Sequence, residues 1–302
     1  MKITITGTSG FVGQNLSTYL ENKAFETFNL SLRLNEWKKN FHYEAEAIVH
    51  LAGKAHDTSN TSDDKEYFKI NRDLTIELFE EFLKSDVKDF FYFSSVKAVA
   101  DTVESSLAED FIARPLTPYG KSKLEAENYI LSKQVPFGKR VFIIRPCMIH
   151  GPGNKGNLNL LYNLVEKGIP WPLASFHNKR SFLSIDNLSY LIYEMLKDSH
   201  LKSGVYNFAD DESISTNELV RIIGNVLKKD VSLWKIPVGF IKSVVKIGDF
   251  IPLPLNSERL KKLTESYVVS NSKVKNALGI QKLPLTAKEG LEITIKSFIQ
   301  VR

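Results

Sequence analysis

Lys2-Ile-Thr-Ile-Thr-Gly-Thr-Ser-Gly-Phe-Val-Gly13 runs on directly into Gln14-Asn-Leu-Ser-Thr-Tyr-Leu20, and the order of residue types along it decides the fold. Lys2 to Thr6 (KITIT) is rich in β-branched residues, which favour a pleated, extended backbone. Gly7-x-x-Gly10-x-x-Gly13 follows at once, and Phe11 to Leu20 reads as a helix. Strand, glycine turn and helix in that order are the context in which glycines serve a dinucleotide. Gly7 permits the tight turn, Gly10 lets backbone approach a pyrophosphate, and Gly13 lets helix and strand pack closely. The first helical turn then offers N–H groups and a positive dipole end to the phosphates. Without the flanking strand and helix, the same glycines are only a turn.

The rest of the first half repeats the alternation. Phe25 to Leu32 is expected as a second strand, and Ala47 to Ala52 (AIVHLA) as a third. Parallel strands covered on both faces read as near-continuous apolar runs. Lys65 to Lys84 has helical period, Asp89 to Ser94 (DFFYFS) reads as a strand, Tyr119 to Ser132 as a helix and Arg140 to Arg145 (RVFIIR) as a strand. Strands alternating with helices predict an α/β fold, a Rossmann-like doubly wound parallel sheet. Beyond residue 152 the alternation loosens. Leu183 to Ile185 and Gly204 to Phe208 are expected as short strands extending the sheet. Thr216 to Leu227 is expected as a helix capped by Ser215 or Thr216, and Ser257 to Arg302 as a short strand and a terminal helix. The division expected is a dinucleotide-binding domain over 1–155, to which 180–210 return. A smaller, partly interleaved C-terminal substrate domain is expected from 156–179 and 211–302.

Tyr119-Gly-Lys-Ser-Lys123 carries the chemistry. A phenol titrates near ~10 in water and is a poor base at neutral pH. A lysine four residues later on a helix shares its face, and its charge favours the phenolate. A lowered Tyr119 pKa is therefore expected. Ser95 closes the DFFYF strand; a hydroxyl there points into the ligand crevice and would hold the reacting oxygen beside Tyr119. The tyrosine–lysine spacing alone is common on solvated helices. Together with the glycine turn upstream, it describes an enzyme that moves hydride to or from a nicotinamide. Where NAD users place an acid on the adenosine ribose, this chain has Leu30-Ser31-Leu32-Arg33. A missing acid with Arg33 nearby suits a 2′-phosphate, so NAD or NADP is expected with a tilt to NADP. The plainer reading of Arg33 is an exposed arginine.

Bulk properties exclude several classes. The 302 residues are 43% hydrophobic and 25% charged, an ordinary globular balance. The formal charge of +5 suits an anionic substrate or merely a solvated surface. No dense basic block with interleaved aromatics is present, so nucleic acid is not an expected partner. Cys147 is the only cysteine, which excludes an intramolecular disulfide and fits a reducing, cytoplasmic compartment. The first strand begins at Lys2, read as leaving no room for a targeting leader. No apolar run reaches the ~20 residues that span a bilayer. Val238 to Ile251 is apolar with Lys242 and Lys246; it reads as a helix packed on the second domain or as an amphipathic membrane-surface helix, with no stable insertion. His50 is expected as a packed histidine, His56 and Asp57 as loop residues that face a substrate or solvent, and His150 carries no expectation. No His, Cys, Asp and Glu set has metal-site spacing, so no metal is expected.

These residues resemble the extended short-chain dehydrogenase/reductases of the nucleotide-sugar epimerase/dehydratase type. TGTSGFVG, HLAG (His50 to Gly53), Asn71 before a helix, FSS (Phe93 to Ser95), YGKSK and RPCMIHGPG (Arg145 to Gly153) fall in the family order. Arg180-Ser-Phe-Leu-Ser-Ile-Asp186-Asn187 resembles the segment in which an arginine meets the nucleotide diphosphate. The resemblance implies bound NAD(P), a UDP- or dTDP-sugar substrate and a homodimer built as a four-helix bundle from helices over 71–84 and 119–132. It implies Ser95, Tyr119 and Lys123 as catalytic, with Tyr119 and Lys123 also at the cofactor and Lys123 holding the nicotinamide ribose. Phe11, Val12, Leu51, Ala52, Gly53 and Asn71 would line the cofactor beside the three glycines, and Pro146 and Cys147 would approach the nicotinamide. Lys97, Asn157 and Arg180 would join Ser95 in contacting the substrate.

The departures narrow the reaction. The 4,6-dehydratases of the family place Asp-Glu after the catalytic hydroxyl, where this chain has Val96-Lys97, which argues against dehydration. Ser-Ser-Val-Lys and Gly156 to Leu173 resemble a bacterial polysaccharide branch holding 4-ketoreductases and 4-epimerases. Met148 replaces a substrate-binding asparagine of UDP-hexose epimerases, and Ala100 replaces a common glycine. Hydride transfer at C4 of a nucleotide sugar is the expected activity. A non-catalytic nucleotide-sensing protein on this fold, or a reductase of a small carbonyl compound, remains as an alternative.

Overall fold

The computed structural model describes residues 1–34, 36–54, 63–154, 157–249 and 256–300. Its main sheet is built from β1 (Lys2–Thr6), β2 (Glu26–Leu30), β3 (Ala47–His50), β4 (Asp89–Phe93), β5 (Arg140–Pro146) and β8 (Gly204–Phe208). All pair in parallel, in the order β2-β1-β3-β4-β5-β8. The order reverses between β1 and β3, the point at which open α/β sheets bind ligands. Pairing places Leu30, Thr6, His50, Tyr92 and Ile143 in one row across five strands. Gly7, Leu51 and the segment Phe93–Ser95 begin just past that row, so the expected site residues emerge at one edge.

Helices cover both faces: α1 (Phe11–Glu21), α2 (Asp64–Tyr67), α3 (Leu74–Lys84), α4 (Pro118–Ser132) and α6 (Ile185–Lys197). Between α2 and α3, Phe68–Asp73 winds as a π-helical segment. One core holds Ile3, Ile5, Leu16, Phe91 and Phe142 with Leu188 and Leu191 of α6; the opposite one holds Phe79, Phe82, Phe90 and Tyr92. Every residue of β4 is buried, and its aromatic run supplies both faces. Arg140 clamps Asp89 with two bonds, Nε–Oδ1 at 2.8 Å and Nη2–Oδ2 at 2.6 Å, tying the starts of β4 and β5.

After β5 the chain leaves the main sheet. β6 (Met148–His150), β7 (Arg180–Ser184) and β9 (Ser213–Ile214) form a second, three-stranded sheet. The strand expected at Leu183–Ile185 to extend the main sheet is therefore β7 of the small one; of the two late strands only Gly204–Phe208 joins the large sheet. The strand also ends at Ser184, whose Oγ accepts from Asn187 N–H at 3.0 Å and starts α6, which leaves Ile185 in the helix. α5 (Asn157–Glu166), α7 (Thr216–Leu227), α8 (Val238–Gly248), α9 (Ser257–Thr264) and α11 (Ala287–Gln300) gather around a third core that includes Leu158, Trp171, Phe182, Ile223 and Leu291. Ser215 caps α7 by accepting from Glu218 N–H at 3.0 Å. The short strand expected after Ser257 is instead a pair of single bridges, Leu107 with Val269 and Arg180 with Tyr267, followed by α10 (Ser272–Leu278). Ile241 and Val245 of α8 are buried with Leu260, while Lys242 and Lys246 face solvent. No helix among the described residues is long and apolar enough to cross a membrane.

Candidate active site

The glycine turn fits a dinucleotide on its own geometry. Gly7 has φ +74°, and a Cβ there would lie 2.8 Å from Ala52 N, so β1 and the segment after β3 touch through backbone alone. A Cβ on Gly13 would overlap the Gly7 carbonyl oxygen. Gly10 is the N-cap of α1 and has no side chain to cap with; the first turn carries no acid. The leading N–H groups of α1 are thus left for an external acceptor, which a phosphate supplies.

Below the turn lies a closed hydrogen-bond network. Thr6 Oγ1 meets His50 Nδ1 at 2.8 Å and accepts from Ala52 N–H at 3.0 Å. His50 Nε2 meets Thr75 Oγ1 at 2.8 Å, and Thr75 donates to the Asn71 carbonyl at 2.9 Å. Because Thr75 has spent its proton on a carbonyl, His50 donates from Nε2 and accepts at Nδ1. Burial pushes the His50 pKa down to about 3, aided by the Lys123 charge, so the ring is neutral. His50 is therefore packed, as expected, and also wires three elements. Asn71, in the π-helical segment, accepts from Lys54 N–H at 2.7 Å and donates to Ser122 Oγ at 3.2 Å, beside Lys123. Short π-helical insertions gather at functional sites because they turn one side chain out of helical register.

Ser95, Tyr119 and Lys123 come together above β4. Thr117 caps α4 by accepting from Gly120 N–H at 3.2 Å, with Pro118 in the first turn, and this sets the orientation of Tyr119. Ser95 Oγ accepts from Lys97 N–H at 3.2 Å and hydrogen-bonds the Tyr119 phenol. The Tyr67 ring meets Tyr119 edge-on at 6.1 Å. Lys123 Nζ donates to the Phe93 carbonyl at 2.8 Å and stands 5.0 Å from the Tyr92 ring centre. The expected lowering of the Tyr119 pKa is corrected here. Burial raises it and the Ser95 bond pulls it down only in part, while the lysine ammonium donates to the Phe93 carbonyl. Burial also pushes Lys123 itself down to about 8, opposed by Glu127. Glu127 is fully buried one turn further along α4. It accepts from Ser94 Oγ and from Arg145 Nη2 at 2.5 Å and Nε at 3.1 Å.

The other expected contacts fall in two groups. Leu51, Ala52 and Gly53 follow β3 at the switch point, and a Cβ on Gly53 would lie 3.2 Å from Lys123 Nζ. Phe11 and Val12 open α1 against the first core. Pro146 ends β5, and Cys147 follows, its thiol buried and its pKa raised by that burial. Arg33 stands apart: it is exposed in the turn after β2 and bonds no other described residue. Near it, Thr8 Oγ1 donates to Asn29 Oδ1 at 2.6 Å and joins the glycine turn to β2. His56 and Asp57 lie outside the described residues. Asn157 begins α5, whose first side chain is likewise outside them.

A cavity of about 570 Å³ opens beside Arg180, lined by α5, the Pro170–Leu173 run, α7 and α9. Met148, Leu161 and Trp171 supply apolar wall; Arg180, Arg259 and Lys262 supply positive charge. Arg180 donates to the Lys262 carbonyl, and burial lowers its pKa. Arg259 and Lys262 were not foreseen, since in sequence they are two cations among several on a solvated helix.

Such a sheet, with a glycine turn at its switch point, defines a dinucleotide-dependent enzyme of the extended short-chain dehydrogenase/reductase class. The chain belongs to the NAD dependent epimerase/dehydratase family, whose model matches residues 3–209. It is 31% identical to a UDP-glucose 4-epimerase of Vibrio cholerae, over 99% of this chain and 95% of that one. It is 25% identical to the N-acetyl-α-D-glucosaminyl-diphospho-ditrans,octacis-undecaprenol 4-epimerase of Escherichia coli O157:H7, over 97% and 94%. Its fold matches the structure of RMD from Pseudomonas aeruginosa complexed with NADPH at TM-score 0.78 and 21% identity, covering 100% of this chain and 99% of that one.

Proposed function

We propose that this chain transfers hydride at C4 of a nucleotide sugar, as a 4-epimerase or a 4-ketoreductase making polysaccharide precursors. The observation that carries this reading is the meeting of Ser95, Tyr119 and Lys123 beside a glycine turn built for a dinucleotide. Relatives that act at C4 of sugar diphosphates, aligned over nearly the full chain, support it. Residues 1–155 with 180–210 hold the cofactor, and 156–179 with 211–302 hold the nucleotide end of the substrate. Arg180, Asn157, Arg259 and Lys262 serve the diphosphate and nucleoside, and Lys97 the sugar. The exposed Arg33 and the lack of an acid at the end of β2 support NADP. The single buried thiol supports a cytoplasmic setting. A homodimer through helices over 71–84 and 119–132 is supported by Leu131, 56% exposed on α4.

Bound NAD(P) supplies the hydride acceptor or donor. This chain supplies the proton. In reduction, Tyr119 gives its phenol proton to the C4 oxygen while Ser95 holds that oxygen in line. In oxidation, the same phenol oxygen takes the O4 proton. Lys123, fixed on the Phe93 carbonyl, holds the ribose side of the site and keeps a positive charge near the phenolate. Val96–Lys97 offers no carboxylate after Ser95, so water elimination has no acid–base pair there. Tyr119→Phe is expected to lower turnover ~10²–10⁴-fold while cofactor affinity is kept. Full turnover in that variant would sink the assignment.

A further inference from the structure

α8 is packed on one side and bare on the other. Ile241 and Val245 are buried with Leu260 of α9, while Phe240 is 61% exposed and Val244 is exposed beside it. Phe240 and Val244 are four residues apart on a helix and so share a face. The segment leading into α8 continues the exposure. Trp234 is 55% exposed, and its N–H donates to the Trp171 carbonyl at 2.9 Å, which ties it to the wall of the cavity. At the cavity itself, Leu160 and Ile169 are wall residues that are also exposed, so its rim is apolar. Lysines flank these side chains. Between Lys228 and Gly248 the chain has five lysines and one acid, Asp230, and α8 itself bears no acid. Lys235, Lys242 and Lys246 are exposed, and among the described residues none of them pairs with an acid.

Neither half of this surface is explained by the core or by the reaction. A bare set of Trp, Phe and Val is unfavourable in water, and grouped exposed apolar side chains mark protein or membrane contacts. Unpaired lysines beside them call for anions. An anionic bilayer offers both at once: lipid phosphates at the depth of the lysines, and hydrocarbon just below for aromatic and branched side chains. Tryptophan is favoured at that boundary, because its ring is apolar with one polar N–H. Since its other face is packed against α9, α8 lies along such a surface rather than entering it. We propose that α8 and residues 232–237 dock this chain on an anionic bilayer surface, with Trp234, Phe240 and Val244 among the headgroups and Lys235, Lys242 and Lys246 on lipid phosphates. Docking there holds the apolar rim of the cavity close to the bilayer. It does not depend on hydride transfer at C4.

Intrinsic fluorescence tests this, because Trp37 and Trp171 are buried and Trp234 alone of the three tryptophans is open to lipid. Vesicles of phosphatidylglycerol and phosphatidylethanolamine, added to the full chain at low salt, should shift the emission to the blue and carry the protein into the pellet. Phosphatidylcholine vesicles should do neither. Raising salt to ~1 M, where the screening length falls to about 3 Å, should release most of the protein. One lysine at such a surface is worth about fivefold in partitioning, so Lys242→Glu with Lys246→Glu should weaken it by about tenfold or more. Phe240→Ser should weaken it severalfold, which adsorption through charge elsewhere on the surface would not show. No binding to anionic vesicles overturns the proposal, as does equal binding to both vesicle types or binding that both variants leave unchanged. Self-association that Phe240→Ser abolishes, without vesicle binding, assigns the face to a second copy and overturns it too. The wild-type comparison of the two lipids decides even if a variant does not fold.

Discussion

At the residue scale, the two groups of the tyrosine–lysine pair are both displaced by burial, their pKa values in opposite directions and both toward the neutral form. Tyr119 is raised and so holds its proton, and Lys123 is brought down to about 8 and so gives its proton up early. Between about 8 and the usual lysine range, the unfolded chain binds more protons than the folded one. Lys123 therefore makes stability rise with pH across that window. Activity is expected to run the other way. Reduction of a ketosugar weakens as pH rises through about 8, because the charge that favours the phenolate left by proton donation disappears. A pH profile of kcat/KM checks this, and a rate level across the window would contradict it. His50, down at about 3, contributes no limb near neutrality.

At the element scale, α4 is tied down by charge as well as by packing. The Glu127 and Arg145 side chains are 0% and 7% exposed, and Ser94 completes the carboxylate's bonds. Removing one member of a buried pair leaves an uncompensated charge, at ~3–5 kcal/mol. Glu127→Leu is expected to lose stability on that scale in urea unfolding, while Glu125→Leu, on the exposed side of the same helix, loses less than ~1 kcal/mol. Equal losses for the two would contradict the role given to the buried pair. The elements of the first half were legible because their patterns are local: a β-branched run, a glycine turn, an apolar strand and a capped helix. β7 was misplaced because a five-residue strand (RSFLS) has no sequence mark of which sheet it joins. The π-helical segment was missed because its register change is set by Asn71, Thr75 and His50 meeting in space.

At the scale of the whole molecule, the chain leaves the large sheet after β5, builds a second layer, and returns through α6 and β8. That path sets Arg180 beside the cavity and its charge within reach of Cys147 and Lys97. The Ser95–Tyr119–Lys123 group was readable because motif and strand end coincide. Arg259 and Lys262 were not, because only the folding of α9 against β7 brings them to Arg180. The most direct test of C4 hydride transfer is the absorbance of the reduced nicotinamide in the loaded enzyme as nucleotide sugar is added. The expected result is a sugar-dependent change in the wild type, decay with a 4-ketosugar or rise with a hexose, that Tyr119→Phe abolishes. Tight binding of both cofactor and sugar with no change in that absorbance would contradict hydride transfer at this site.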